Sequence, residues 1–82
     1  MNMEAVIRRV TEMEARFQRL LDARNRGEAL KNDPDYGLLA AYYECGLWLS
    51  DYTLDEQGLL PRELKRGVLS QDGLWNLLAE IE

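Results

Sequence analysis

The chain has 82 residues, 10 Lys and Arg against 15 Asp and Glu, no histidine, one cysteine and 46% hydrophobic residues. That length makes one domain, residues 1–82, with a small core, and that hydrophobic content is too high for disorder. Without histidine, and with Cys45 as the sole thiol, the usual acid–base group and the usual zinc or transition-metal donors are missing, so neither catalysis, cofactor nor metal is expected.

The charge is uneven. Residues 1–31 carry 7 basic and 5 acidic side chains, and residues 32–82 carry 3 and 10. The acidic part disfavours nonspecific binding to nucleic acid or an anionic membrane. It suits a basic partner surface or plain solubility. The opening MNMEAVIRR is charged by residue 4, unlike a signal peptide, and no apolar run approaches a membrane span. A cytoplasmic protein is expected.

Residues 3 to about 30 read as one long helix. Met3, Val6, Val10, Met13, Phe17 and Leu20 recur at spacings of three and four, and Ile7 and Leu21 widen the stripe. Gly27 weakens its end, which falls near Arg26 or at Lys31. The seam of Val6, Val10, Met13 and Phe17 is a candidate for self-association, in a homodimer or as coiled-coil packing within one chain. The six arginines of this helix form either a basic stripe for phosphate or a set of surface pairs. The pairs are Glu4–Arg8, Arg9–Glu12, Glu12–Arg16, Arg19–Asp22, Asp22–Arg26 and Arg24–Glu28, at helical spacing.

Asp33 as cap and Pro34 at the first helical position start a second, central helix that runs to about Ser50. Leu38, Tyr42, Cys45, Leu49 and Tyr52 form its stripe, which would bury the Cys45 thiol. Gly46 lacks a side chain where a neighbour would come close. Trp48 reads as a core or helix-junction residue, with ligand stacking as the alternative. Residues 51–60 read as a loop in which Asp51, Asp55 and Glu56 gather. These acids either form a metal site, for which the spacing fits no calcium loop, or meet Arg62, Lys65 and Arg66 and tie the loop down. Those six residues are the candidate interaction or structural cluster.

Pro61 to Arg66 supply one short helical turn, and Gly67 suits the left-handed conformation that closes a helix. Ser70 reads as the N-cap of a last helix from about Gln71 to Ile81, with Leu69 and Leu74 as a hydrophobic staple. Leu74, Leu77, Leu78 and Ile81 form its stripe. The expected fold is a small antiparallel all-α domain: a long N-terminal helix, a central helix, a short turn and a C-terminal helix.

The stretch AYYECGLWLSDYTLDEQGLLPRELKRGVLSQDGLWNLL is similar to the core of the domain-of-unknown-function family forty-two ninety-eight, small acidic bacterial proteins. The resemblance rests on Tyr42, Tyr43, Trp48, Asp51, Tyr52, Asp55, Glu56, Gly58, Leu60 and Pro61, on the unbroken LKRGVLS of residues 64–70, and on Asp72. It covers about half of the chain and implies fold and length but no activity. The function expected from the residues is protein–protein interaction, as a small acidic adaptor or inhibitor of bacterial or phage origin. The alternatives are a self-associating structural module and, last, nucleic-acid binding through the first helix's arginines.

Overall fold

The computed structural model describes residues 3–70 and 72–81, and all regular elements among them are helical. They are α1 (Met3–Asn25), α2 (Pro34–Glu44), α3 (Leu47–Glu56) and α4 (Gly73–Ile81), with a 3-10 turn at Gly67–Leu69. The chain is a small all-α domain. With a rise of 1.5 Å per residue, α1 runs about 35 Å, nearly the full 37 Å length of the molecule.

α1 lies against α2 and against the 3-10 turn. Val6, Val10, Phe17 and Leu20 are buried there, and Met13 is half-buried against the same core. The seam expected for self-association is therefore used inside the chain. A second copy could reach Val6, Val10 or Phe17 only by opening the fold. α1 stops at Asn25, the earlier of the two expected ends. Gly27 takes φ +76°, and the N–H groups of Gly27 and Glu28 donate to Arg24 and Ala23 carbonyls, both at 3.0 Å. This pair of bonds is the usual closure of a helix by a left-handed glycine.

The start of α2 is as expected: Pro34 begins it, and Asp33 Oδ1 accepts the Asp35 N–H at 2.8 Å. The central helix expected to continue to Ser50 does not. Gly46 adopts φ +92° and turns the chain, so that a separate helix, α3, begins at Leu47. The turn changes which face is buried. Leu39 and Tyr42 of α2 and Trp48, Asp51 and Leu54 of α3 point inward, whereas Leu38, Cys45 and Leu49 are exposed. No atom lies within 4 Å of the Cβ that Gly46 lacks. The glycine serves the backbone angle and not, as the spacing suggested, a close neighbour. Gly46→Ala is expected to lose about 1–2 kcal/mol, the strain of a left-handed L-residue. An unchanged urea midpoint would show that the bend tolerates another conformation.

Residues 51–56 belong to α3 and not to a loop. Its end repeats the closure of α1, with Gly58 at φ +72° and Leu59 N–H donating to Leu54 O at 3.1 Å. The connecting segment is thus 57–66, in which Pro61 O accepts the Leu64 N–H at 3.2 Å to make one turn. Gly67 does not close that turn in a left-handed conformation; it opens the 3-10 turn, and the positive φ angles fall at Gly27, Gly46 and Gly58. Ser70 is extended, and α4 starts at Gly73 with Asp72 O accepting from Asn76 N–H at 2.9 Å. The last helix therefore begins later than a Ser70 cap implies; its expected first residue, Gln71, lies outside the described residues. Leu69 and Leu74 are both buried, as the staple required. The three-residue 3-10 turn packs on α1, α3 and α4 alike.

Candidate functional site

The acids and bases flanking the connecting segment come together only in part. Arg66 pairs with Asp55 and donates to the carbonyls of Pro61 at 2.9 Å and Arg62 at 3.2 Å. One guanidinium thus folds residues 61–66 back onto α3. Arg62 and Lys65 are exposed, and Glu56 stands on the outer side of α3. There it lies beside the Tyr52 hydroxyl, whose pKa is raised first by desolvation and then by Glu56.

Asp51 is not in that cluster. It is wholly buried on the inner face of α3. Tyr42 Oη donates to Asp51 Oδ2 at 2.7 Å. Arg9 grips the same carboxylate with two donors, Nε to Oδ2 at 2.9 Å and Nη2 to Oδ1. This triad ties α1, α2 and α3 through one carboxylate. The bond to Asp51 raises the Arg9 pKa, and burial followed by the Asp51 bond pushes the Tyr42 hydroxyl well up. Both residues are held in the forms they have at neutral pH. A carboxylate without solvent contact cannot meet a substrate, so the triad is a structural tie. Helical spacing suggested Arg9–Glu12 instead.

A second buried acid was absent from the sequence candidates. Glu14, on α1, accepts the Val68 N–H at 2.7 Å and Gln18 Nε2 at 2.9 Å. It satisfies a main-chain donor of the 3-10 turn that has no carbonyl before it to bond. Gly67 makes room for it, since a Cβ there would stand 3.2 and 3.4 Å from the two carboxylate oxygens. From the other side Trp48 Nε1 donates to Val68 O at 2.8 Å. The Trp48 ring lies between Tyr43 and Tyr52, at centroid distances of 5.1 and 5.0 Å. Trp48 is thus a core and junction residue. Removing the acceptor in Glu14→Ala is expected to cost about 1–3 kcal/mol, the penalty of an orphaned buried N–H. Glu14→Gln, which keeps an oxygen in place, should recover most of it. Equal thermal midpoints for the two variants would dismiss this role.

The α1 arginines pair mainly across elements and not along the helix. Arg16 and Arg19 both hold Asp35 of α2, at 3.0 and 2.9 Å, and Arg24 holds Glu80 of α4 at 3.0 Å. Arg26 takes the adjacent Glu28. The Asp35 carboxyl is held below the usual carboxylate range, first by its bond to Arg19. Pairs this exposed contribute little singly, but they occupy the cations that a phosphate stripe would need.

Among the open surface features, one is aromatic. A groove of about 200 Å³ runs between α2 and α4. Tyr36 and Tyr43 line one wall, Trp75 the other, and Ala40 and Ala79 leave the space between them. Glu44, at the end of α2, is the charged residue in the lining. Trp75 is 54% exposed, although its helix is otherwise the most apolar of the chain. Trp75 lies beside the stripe of Leu74, Leu77, Leu78 and Ile81, and periodicity alone cannot say that Tyr36 and Tyr43 stand opposite.

The fold and these ties define a small all-helical domain, held together by buried carboxylates, with an aromatic groove among its surface openings. The chain belongs to the family described as Domain of unknown function (DUF4298), whose family model matches residues 1–82. The match takes in α1, which by sequence alone resembled only a generic amphipathic helix. No curated protein and no solved structure matches the chain.

Proposed function

We propose that this domain is a protein-interaction module, an adaptor or inhibitor that acts by offering the α2–α4 groove to another protein and not by catalysis. The observation that carries the reading is Trp75, more than half exposed in a groove walled by Tyr36 and Tyr43. Large aromatic side chains are costly to leave in water and are the residues that most often anchor protein interfaces. The buried acids are already committed, Asp51 to Arg9 and Tyr42, and Glu14 to Val68. Self-association through α1 has less support, because Val6, Val10 and Phe17 lie in the core. Nucleic-acid binding has less support too, because Arg9, Arg16, Arg19, Arg24 and Arg26 each hold a carboxylate. No helix among the described residues is long and apolar enough to cross a membrane. The unpaired, exposed Cys45 favours a reducing compartment, the cytoplasm.

The test compares the wild-type chain with Trp75→Ala and with Gln57→Ala, an exposed position at the end of α3. A protein retained by the wild type and by Gln57→Ala, and lost with Trp75→Ala, is the expected result. Identical retention by all three chains removes the groove from the interaction.

A further inference from the structure

The electrostatics of the groove bear on what it holds. α2, α3 and α4 contain no lysine or arginine at all. The α1 arginines that reach α2 and α4 are bound to carboxylates, Arg16 and Arg19 to Asp35 and Arg24 to Glu80, and no lysine or arginine lines the groove itself. α2 ends at Glu44, inside the groove, with no basic residue in its last turn; the end of α4 lies outside the groove, beside Arg24 and Lys31. A helix C-terminus carries partial negative charge and is ordinarily balanced by a nearby cation. Here the α2 end and its Glu44 carboxylate face the groove without one. The lining adds the rings of Tyr36, Tyr43 and Trp75, and aromatic rings can attract cations through their quadrupoles. An anionic ligand would meet the Glu44 carboxylate and the α2 end, both of unfavourable sign. A purely apolar one would leave Glu44 to be desolvated unpaired. The volume, about 200 Å³, suits one long side chain and not a whole helix.

We infer that the α2–α4 groove receives a lysine or arginine side chain of the partner protein, flanked by apolar residues that cover Trp75. This rests on the reading of the groove as the docking surface. The apolar flanks belong to the inference because Trp75 is more than half exposed, and a lone cation would leave it wet. The occupant is therefore a basic, apolar protein segment.

The two tryptophans supply the readout. The Trp48 indole N–H is bonded to Val68 O inside the domain, whereas Trp75 is exposed, so their ¹⁵N-indole signals report core and groove separately. The probes are the blocked tripeptide Leu-Arg-Leu, the same peptide with neutral citrulline for arginine, and arginine amide. Leu-Arg-Leu is expected to move the Trp75 signal and leave that of Trp48 in place. The citrulline peptide and arginine amide should each bind at least about fivefold more weakly, and Glu44→Gln should bring the arginine peptide toward the citrulline value. Equal binding of the citrulline peptide overturns the inference. So does arginine amide binding as tightly as the tripeptide, which would make this a site for a free cation. So does a Trp75 signal that no probe moves. If these probes fail while Trp75→Ala still loses its protein partner, the interaction reading stands and only the cationic occupant falls.

Discussion

Asp51→Ala is expected to remove a large part of the stability of this domain. The carboxylate has no solvent contact, and its loss strands Arg9 and the Tyr42 hydroxyl at once. Breaking one side of a buried ion pair costs about 3–5 kcal/mol. Arg9 keeps a quarter of its side-chain surface in water and can partly rehydrate, which places the cost near the lower end, about 3 kcal/mol. A chain of 82 residues has about 4–12 kcal/mol in all. Asp51→Asn keeps the shape and an oxygen for Tyr42, so it should lose less. Urea denaturation orders the three proteins; an Asp51→Ala midpoint equal to wild type would mean that the tie contributes nothing. The same triad sets an alkaline limit. Tyr42 has its hydroxyl pKa raised above the ordinary 10.0, by burial first and then by Asp51. The neutral form is thus favoured in the fold. Its contribution is complete below pH 10.0 and is lost as the pH climbs beyond it. In Tyr42→Phe this part of the alkaline loss should be absent, as thermal midpoints measured across that range would reveal.

Trp48→Ala is expected to be at least as damaging. It empties the space between Tyr43 and Tyr52 and orphans the Val68 carbonyl. Truncating a buried tryptophan costs about 3–5 kcal/mol. Trp48→Phe restores most of the ring but not the N–H, and the unmade bond alone costs about 1–3 kcal/mol. Phe should therefore recover about half of the loss. Amide exchange should quicken at residues 67–69 in both variants, since both lose the bond to Val68. If Phe and Ala are equally unstable, the hydrogen bond and not the packing carries the cost. If exchange at 67–69 is unaltered in both, Trp48 does not hold the turn.

Local signals were the legible ones. Asp33 and Pro34 start a helix wherever they stand together before an apolar run, and the structure uses them so. The apolar period of α1 was legible for the same reason, although not what it packs against. Gly46 shows where the period misleads. The spacing from Leu38 to Tyr52 continues through it unbroken, so nothing in the pattern marks a left-handed turn, and the face read as buried is partly wrong on both sides of it, at Leu38, Cys45 and Leu49. Gly67 shows the reverse. A glycine after two cations resembles a helix end, yet its role is to admit Glu14 from a distant helix. The Arg66–Asp55 tie was within reach because both residues flank one short segment. Arg9–Asp51 and Glu14–Val68 join positions 42 and 54 residues apart. Only the folded chain brings such positions together, and for this reason the α2–α4 groove was not legible either.

The two bonds at Val68 bear on the order in which the chain can fold. Its N–H goes to Glu14 and its carbonyl to Trp48, so one residue joins α1 to α3 while itself belonging to neither. During synthesis both side chains emerge long before residue 68 does. Until then the acid and the indole have no fixed mate, and α1 and α3 can meet only through whatever contacts they make directly. The loop that Glu14 must close is among the longest in the chain, and its entropy has to be lost before the bond forms. Helix formation is local and fast, but docking of residues 67–69 is neither. The last step of folding should be the seating of a three-residue turn, with the helices around it already formed.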